Sequence, residues 1–255
     1  MKKKLTAIIK KNQQIAHGMF EMLLSVGEIA ALASPGQFIN LYSNRKDLLL
    51  PRPISICEID KEKGFIKLVY AVVGKGTSDI SKMHVGDIIE VMGPLGNGFT
   101  ISKEIKGHII IGGGIGVPPL LELAKGLTGE MSVYLGFRCE PILVEEFKKY
   151  TDKVYIATED GGWGIKGNVI GLLKSNHPKG EMIYSCGPKP MLKAVASWAE
   201  DNDIKAQLSL EERMACGIGA CLVCTCKAKD NNDWQYKRVC KDGPVFLREE
   251  VIWNE

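Results

Sequence analysis

The sequence contains no long apolar run and no large excess of charge of either sign. None of its 255 residues belongs to a stretch approaching the roughly 20 apolar residues that a membrane-spanning helix needs. The net charge of +3 is spread evenly, which argues against a nucleic-acid partner or an anionic membrane. A basic start at residues 1–4 leads into an apolar stretch that Lys10 and Lys11 interrupt too soon for a signal peptide. We therefore expect a cytoplasmic protein.

Histidine is scarce as well, and its four residues lie in separate sequence contexts, so a histidine metal site is not expected. No Ser-His-Asp set and no carboxylate pair stands out for acid–base chemistry, and we name no catalytic residue of that kind. Cysteine, in contrast, is abundant, with eight residues. In a reducing compartment such a set argues for metal or redox chemistry rather than for a disulfide framework.

Five of the eight cysteines lie between Cys216 and Cys240. Cys216, Cys221 and Cys224 are spaced C-x4-C-x2-C, which is typical of the ligands of a plant-type [2Fe–2S] cluster, and Cys240 can serve as the fourth ligand. The loop between the first two contains glycines at 217 and 219, which let backbone N–H groups approach the sulfur atoms. The pattern therefore predicts a [2Fe–2S] site.

Two alternatives to this site remain, structural zinc and unliganded buried thiols. Zinc sites usually contain two paired-cysteine knuckles, whereas only Cys221 and Cys224 form such a pair here. Five buried thiols without a ligand would be unusually dense. Cys226 breaks the ligand spacing and is expected to be a neighbour of the cluster, while Cys57 and Cys139 are expected to be small apolar residues in or beside strands.

The first hundred residues consist of short segments rich in Val, Ile and Leu, separated by Gly and Pro. This pattern predicts an antiparallel barrel or sandwich. The predicted strands are 5–11, 19–26, 38–42, 54–59, 65–73 and 88–92. Only residues 77–83 predict a helix in this region, and it is short.

From about residue 105 strands alternate with helices, which predicts a parallel sheet covered on both faces. The predicted strands are 108–111, 131–137, 154–157 and 182–184, and the predicted helices are 117–127, 145–150, 169–173 and 190–201. From about Gln207 this periodicity stops and the cysteines begin. We divide the chain into a β domain at 1–101, a Rossmann-like α/β domain at 102–206 and a small cluster subdomain at 207–255.

The segment Arg52-Pro53-Ile54-Ser55-Ile56 resembles the flavin motif of the ferredoxin reductase superfamily. Arg52 would give the FAD diphosphate a fixed cation, and the Ser55 hydroxyl would lie near the flavin N5. An Arg-Pro pair alone would equally suit a turn beside an edge strand. Its position in a β domain that precedes an α/β domain favours FAD.

A second part of the flavin site is expected about 20 residues downstream. Gly76 and Thr77 belong to a turn that follows a strand and precedes the possible helix, where backbone N–H groups can meet a diphosphate. Val69, Tyr70 and Ala71 would lie on the strand beside the flavin ring.

Two further turns predict a nicotinamide site. Gly112-Gly113-Gly114-Ile115-Gly116 follows a strand and opens a helix, although it departs from G-x-G-x-x-G because Val117 stands at the last glycine. Cys186-Gly187-Pro188 likewise ends a strand at the edge of the sheet where α/β proteins bind ligands. Glu159 and Asp160 either line the same crevice or cap the next helix. The sequence does not decide between NAD and NADP, because Arg138 could either be structural or bind the additional phosphate of NADP.

Taken together, the three parts resemble the electron-transfer subunits of class 1B dihydroorotate dehydrogenase over essentially the whole chain. The most specific segment is Leu210 to Cys221, and residues 52–56, 93–99 and 112–120 also match. The resemblance implies FAD on 52–55, 69–71 and 76–77, and cluster ligation by Cys216, Cys221, Cys224 and Cys240.

The resemblance also implies a separate catalytic subunit that carries FMN, in a heterotetramer of two subunits of each kind. Electrons would pass from that FMN through the [2Fe–2S] cluster and FAD to NAD+, in pyrimidine biosynthesis. The expected contact surface is the segment from Glu211 to Glu255, along with nearby parts of the flavin barrel. The segment could instead be only a solvated cap around its own cluster. The alternatives are a subunit of an NAD(P)H:ferredoxin or hydrogenase-linked oxidoreductase, and a zinc-stapled nucleotide sensor without redox chemistry.

Overall fold

The chain forms a closed antiparallel barrel followed by a parallel sheet with helices on both faces. This computed structural model describes residues 2–45, 47–230 and 233–253. The outer ends of the first and last predicted domains, at 1 and 255, lie outside the described residues. So do positions 231, 232, 254 and 255 of the expected contact surface. No helix in the described ranges is both long enough and apolar enough to cross a membrane.

Six strands close the barrel in the order β1-β2-β5-β4-β3-β6, and all neighbours are antiparallel. They are β1 (Lys3–Ala16), β2 (Met19–Ser25), β3 (Phe38–Tyr42), β4 (Arg52–Asp60), β5 (Phe65–Ala71) and β6 (Ile88–Leu95). Alternate side chains of these strands point inward. Leu24, Ile39 and Leu68 are among the fully buried residues of the barrel core. All six predicted strands are confirmed, and the pattern resolves to a barrel rather than a sandwich.

The barrel carries two short helices, α1 (Glu28–Leu32) and α2 (Lys75–Ile80). The expectation of a single helix in this region was wrong. Helix α1 has only five residues and buries just Ile29 and Ala30, too few for a helical period to show in the sequence. Helix α2 begins two residues before its predicted start, at the turn that contains Gly76.

The α/β part contains a seven-stranded sheet in the order β10-β9-β8-β7-β11-β12-β15, where β15 is Val245–Leu247. Its parallel strands are β7 (Gly107–Gly113), β8 (Glu130–Phe137), β9 (Val154–Thr158), β10 (Ile165–Lys166), β11 (Met182–Cys186) and β12 (Lys205–Ser209). The helices are α3 (Pro119–Gly126), α4 (Val144–Lys148), α5 (Val169–Asn176) and α6 (Lys189–Asp201). Helices α3 and α4 pack on one face and α5 and α6 on the other, so the predicted parallel sheet with two covered faces is confirmed.

The alternation of strands with helices ends with β12, which contains Gln207, as expected, although strands continue beyond it. Strand β12 runs across that position, and a hairpin of β13 (Thr225–Asp230) and β14 (Asp233–Arg238) follows. The last strand, β15 (Val245–Leu247), returns to pair antiparallel with β12. These strands are short and interrupted by the cysteine loop, which hides their period in the sequence. The domain boundaries at 101 and 206 stay predictions.

Two sets of hydrogen bonds hold the barrel against the α/β part. On α3, Glu122 Oε2 accepts from the backbone N–H of Ile59 at 2.7 Å, and Lys125 Nζ donates to the Ile59 carbonyl at 3.1 Å. On β12, the Gln207 amide accepts from the Thr100 N–H and donates to its carbonyl, both at 2.8 Å. The outer face of β4 is therefore fixed against the α/β part.

Candidate redox site

The predicted flavin motif lies at the start of β4, where its side chains alternate between the two faces of the barrel wall. Ile54 packs against the barrel core, whereas Cys57 joins the apolar cluster that includes α3. By this alternation Pro53 and Ser55 share the outer face with Cys57. The motif thus presents Ser55 on the side of the α/β part, where a nicotinamide would have to lie.

Arg52 lies against the first turn of α2, and this brings together the two diphosphate-binding segments that the sequence predicted. A Cβ on Gly76 would overlap the Arg52 guanidinium, so only glycine allows this approach. The Arg52 guanidinium also donates to the Leu50 carbonyl. The Thr77 hydroxyl is fully engaged in its own turn, accepting from Val73 N at 3.0 Å and donating to Gly74 O at 3.1 Å. A guanidinium held over a glycine turn suits a diphosphate.

The three expected ring neighbours on β5 do not share one face. Val69 joins the apolar cluster that includes α3, and Ala71, two residues on, shares its face. Tyr70 points into the barrel, where its ring stacks on Phe20 at 5.8 Å between centroids and its hydroxyl donates to Asn12 at 2.9 Å. Tyr70 can therefore reach a ligand on the outer face only through its backbone.

The two predicted nicotinamide turns meet at one edge of the parallel sheet. Gly112 and Cys186 are paired in register on neighbouring strands. A Cβ on Gly116 would come within 2.5 Å of the Cys186 carbonyl and of the Gly187 Cα, so the two turns are in backbone contact. This edge is the carboxyl end of the strands, where α/β folds bind their ligands.

The Cys186 thiol is buried, and burial raises its pKa to about 12, so that it stays a neutral thiol at physiological pH. Asp160 and Glu159 do not cap the next helix, because Asn168 caps α5 by accepting from Gly171 N at 3.0 Å. Asp160 instead accepts from the N–H of Gly162 at 3.0 Å, which lowers its pKa. The capping alternative is therefore excluded.

The cysteine loop is folded around the first predicted cluster ligand. Cys216 Sγ accepts from the N–H of Ala220 at 3.3 Å and of Ile218 at 3.5 Å. Burial by itself raises the pKa of Cys216. The Ile218, Ala220 and Cys221 N–H groups and the Cys221 thiol outweigh burial and hold the pKa at about 6. Such a loop stabilises a thiolate, the form that binds iron.

The remaining predicted ligands differ in exposure. Cys221 is exposed, while Cys224 and Cys240 are buried and adjacent, with Cys240 N donating to Cys224 Sγ at 3.4 Å. Burial, followed by the Cys224 thiol, raises the pKa of Cys240 to about 12. Among the described residues, no three Cys, His, Asp or Glu side chains converge as they would around a single ion. The donor set, four thiols with N–H groups aimed at sulfur, fits the chemistry of an iron–sulfur cluster.

The other three cysteines differ from one another. Cys226 lies on β13, half-buried, and burial raises its pKa to about 11. Cys57 is buried in β4 as expected of a small apolar residue. Cys139 lies just beyond the end of β8, beside a strand as expected, and it is exposed on the surface.

The sequence did not indicate two asparagines that join the barrel to the cluster loop. Asn40 Nδ2 on β3 donates to the Cys216 carbonyl at 3.1 Å. Asn97 Nδ2 donates to the Asp242 carbonyl at 3.0 Å and to the Lys241 carbonyl at 3.3 Å, directly after Cys240. One signal could have drawn attention to Asn40, since it is the single amide in the otherwise apolar strand 38–42.

Comparisons with known families and proteins agree with this geometry. A family model described as "Oxidoreductase FAD-binding domain" matches residues 6–99. A second, described as "Iron-sulfur cluster binding domain of dihydroorotate dehydrogenase B", matches residues 211–252. The two matches fall on the barrel and on the cysteine-rich segment.

Curated relatives match nearly the full length. The chain is 48% identical to the "Dihydroorotate dehydrogenase B (NAD(+)), electron transfer subunit" of Listeria welshimeri over 246 residues, which cover 93% of this chain and 94% of that protein. It is 42% identical to the protein of the same name from Caldanaerobacter subterraneus over 254 residues, 99% of this chain and 100% of that one.

A solved structure of an NADH-dependent reduced ferredoxin-NADP oxidoreductase, reported for flavin-based electron bifurcation, superposes with a TM-score of 0.84. The two sequences are 29% identical, and the superposition covers 97% of this chain and 90% of the other. The fold is shared by a ferredoxin reductase of carbazole 1,9a-dioxygenase, which superposes with a TM-score of 0.67. That protein is 21% identical, and the superposition covers 80% of this chain and 67% of the other.

Fold, site and comparisons define an oxidoreductase component that carries electrons and contains an FAD-binding and an iron–sulfur domain. The chain belongs to the family of the electron transfer subunits of dihydroorotate dehydrogenase B (NAD(+)). The predicted family, fold class and electron-transfer role are confirmed, as are FAD and an iron–sulfur cluster.

Proposed function

We propose that this chain transfers electrons between a catalytic partner that oxidises dihydroorotate and NAD+, in pyrimidine biosynthesis. One observation carries this proposal: the barrel wall that contains β4 and β5 adjoins both the predicted nicotinamide site and the predicted cluster site. Strand β5 contacts the turn at Gly114–Gly116. On strand β3, beside β4, Asn40 is hydrogen-bonded to Cys216 at 3.1 Å. FAD on this face would lie between nicotinamide and cluster, as a relay requires.

FAD would be held by side chains and turns of the outer face and by the backbones of two residues that point into the barrel. The first group is Arg52, Pro53, Ser55, Val69, Ala71, Gly76 and Thr77, and the second is Ile54 and Tyr70. Bound FAD supplies chemistry that accepts or gives electrons singly or in pairs. The chain's own residues orient it: Arg52 neutralises diphosphate charge and Ser55 offers a hydroxyl on the nicotinamide side.

The nicotinamide is proposed to lie between the turns at 112–116 and 186–188. Their glycines allow a ligand to approach the backbone closely. Since Cys186 is a neutral thiol, it adds no charge to the pocket. Its role would be to pack against the nicotinamide and help to exclude water.

Cys216, Cys221, Cys224 and Cys240 are the proposed ligands of a [2Fe–2S] cluster, and Cys226 is a neighbour. The spacing of the first three and the N–H groups directed at Cys216 Sγ support this assignment. Together the four residues would supply the thiolates that a cluster of two irons requires.

The catalytic partner is proposed to carry FMN and to assemble with this chain as two plus two subunits in the cytoplasm. The proposed contact surface is the segment from Glu211 onward, with nearby parts of the barrel. Within it, Leu222 is 62% exposed and Val223 is 54% exposed, both between proposed cluster ligands. Apolar residues exposed beside a redox centre suit a protein contact that brings a second centre close.

A reconstitution experiment tests this proposal. The separately purified subunits are mixed, and dihydroorotate-dependent reduction of NAD+ is followed. We expect no activity from this chain alone and activity from the mixture. NAD+ reduction by this chain alone with dihydroorotate would overturn the relay.

A second candidate function rests on the superposition at 29% identity over 97% of the chain. In that case the chain would serve an NAD(P)H:ferredoxin or related oxidoreductase. An inactive mixture together with rapid reduction of ferredoxin by NADH would favour this second function.

A further inference from the structure

Asn40 is a fully buried polar residue between the proposed flavin strand and the cysteine loop. Its side chain has no exposed surface. Its Nδ2 donates to the Cys216 carbonyl, across 176 positions of sequence, at 3.1 Å. Its Oδ1 is buried without a hydrogen-bond partner among the described residues. A buried acceptor without a donor costs free energy, so this amide is not explained by stability alone.

The register of the barrel places Asn40 beside the flavin motif. Asn40 pairs with Pro53 on β4 and with Met92 on β6. Its neighbours Ile39 and Leu41 point into the barrel core, so Asn40 lies on the opposite, outer face with Pro53 and Ser55. The residue therefore belongs to the face on which FAD is proposed to bind.

The cysteine loop is shaped to receive this amide. Gly217 has a φ of +68°, and a Cβ on it would overlap Asn40 Nδ2. Glycine at this position thus permits both the left-handed backbone and the close approach of the side chain. The carbonyl that Asn40 binds belongs to Cys216, whose thiol is a proposed cluster ligand.

We propose that Asn40 is a positioning residue that fixes the cluster relative to the flavin. By anchoring the Cys216 carbonyl to the strand beside Pro53, it sets the distance and orientation between the two redox centres. The inference rests on the proposed placement of FAD along β4. It adds a residue outside the ligand and flavin motifs to the relay.

The test uses the full chain with both cofactors and two variants, Asn40→Ala and Asn40→Ser. Both remove the hydrogen bond to Cys216, and serine keeps a small polar group if alanine impairs folding. Asn168→Ala is the matched control, because it removes the asparagine cap of α5 at 3.0 Å in the α/β part. It should lower the thermal midpoint without touching the relay.

FAD and iron content, the midpoint potential and EPR spectrum of the cluster, and stopped-flow reduction by NADH are measured. We expect the variants to reduce their flavin as fast as the unmodified chain. Transfer onward to the cluster should slow about tenfold, because small misplacements between reacting groups cost rate steeply. The EPR spectrum and the potential of the cluster should shift, since hydrogen bonding around the ligands tunes both.

The Asn40 variants could also lose iron while they retain FAD. If Asn168→Ala keeps its iron, this result would equally support fixation of the loop by Asn40. Two results would overturn the inference: wild-type transfer and potential in a fully loaded Asn40 variant, or the same slowing in Asn168→Ala. If the unmodified chain itself does not reduce its cluster with NADH, it is the proposed function that fails.

Discussion

Arg238 and Asp242 form a two-point ion pair across the turn that contains Cys240. Nε and Nη2 of Arg238 donate to the two carboxylate oxygens of Asp242 at 2.9 and 3.1 Å. The third nitrogen, Nη1, donates to the Gly219 carbonyl at 3.1 Å. One guanidinium thereby ties the loop between Cys216 and Cys221 to the turn of the fourth proposed ligand.

Replacing Arg238 should loosen this connection and make the cluster easier to remove. In Arg238→Ala we expect faster bleaching of the cluster absorbance by an iron chelator at unchanged FAD content. Arg238→Lys keeps the charge but cannot form the two-point pair, so it should lie between alanine and the original residue. Equal bleaching rates for all three proteins would show that the ion pair does not hold the loop.

The ligand assignment predicts opposite results for two cysteines five residues apart. Cys221→Ser should lose the cluster, because a proposed thiolate ligand is removed. Cys226→Ser should retain about two irons and two labile sulfides per chain, as a [2Fe–2S] centre requires. Iron and sulfide analysis checks both, and a reversed outcome would make Cys226, rather than Cys221, a ligand of the cluster.

Arg52 and Gly76 are predicted to act as one unit in FAD binding. Arg52→Ala should weaken binding by about 1.5–3 kcal/mol, the usual contribution of a charge-assisted hydrogen bond. Gly76→Ala should weaken it as well, because the added Cβ would displace the guanidinium. Ser55→Ala should keep its FAD and alter the rate of flavin reduction instead. Titration of the apoprotein with FAD measures the affinity, and stopped-flow reduction by NADH measures the rate of flavin reduction. Unchanged FAD affinity in both Arg52→Ala and Gly76→Ala would exclude these two residues from the FAD site.

The raised pKa of Glu122, at the contact between the barrel and the α/β part, leads us to expect a pH-dependent stability. Burial raises the pKa of Glu122 although the Ile59 N–H and Lys125 oppose it. A raised pKa in the folded state means that ionisation opposes folding, so stability falls as the pH rises through that value. Glu122→Gln keeps an acceptor for the Ile59 N–H and should gain thermal stability relative to the unmodified chain as the pH rises from 4 to 7.

Glu130→Gln, at a carboxylate 85% exposed in its pair with Lys153, is the control and should show no such trend. The measurement is the thermal midpoint of all three proteins across this range. A stability difference that shrinks with rising pH would contradict the assigned direction.

Leu222 offers a test of the partner surface with little risk to the fold. It has a φ of +60°, a conformation that asparagine tolerates better than leucine. Leu222→Asn should therefore keep the cluster while it weakens association with the catalytic subunit, measured by co-elution. Val85→Asn, at a residue 67% exposed on the barrel, is the control. If Leu222→Asn and Val85→Asn co-elute with the catalytic subunit to the same extent, Leu222 does not belong to the contact surface.

The barrel strands, the parallel sheet and the cysteine loop could be predicted because each depends on a local pattern. Strand 38–42 shows where this reasoning ends. Its apolar residues predict β3 correctly, but the partner of Asn40 lies 176 positions away and has no sequence signal. Tyr70 shows a second limit, because a motif assigns a residue to a site but the register decides which face its side chain takes. Short elements such as α1 are fixed by contacts with the barrel rather than by their own propensity.

The return of β15 to the sheet has a consequence for dissecting the protein. Through Leu247, Phe246 and Val245 it covers the edge of β12 that would otherwise be open. An uncovered edge strand offers unpaired N–H and C=O groups to other chains and promotes self-association. A chain shortened to end before Cys216, so as to remove the cluster segment, would therefore lose β15 as well and would become prone to self-association. Point substitutions at the cysteines, rather than truncation, are the way to separate cluster chemistry from solubility.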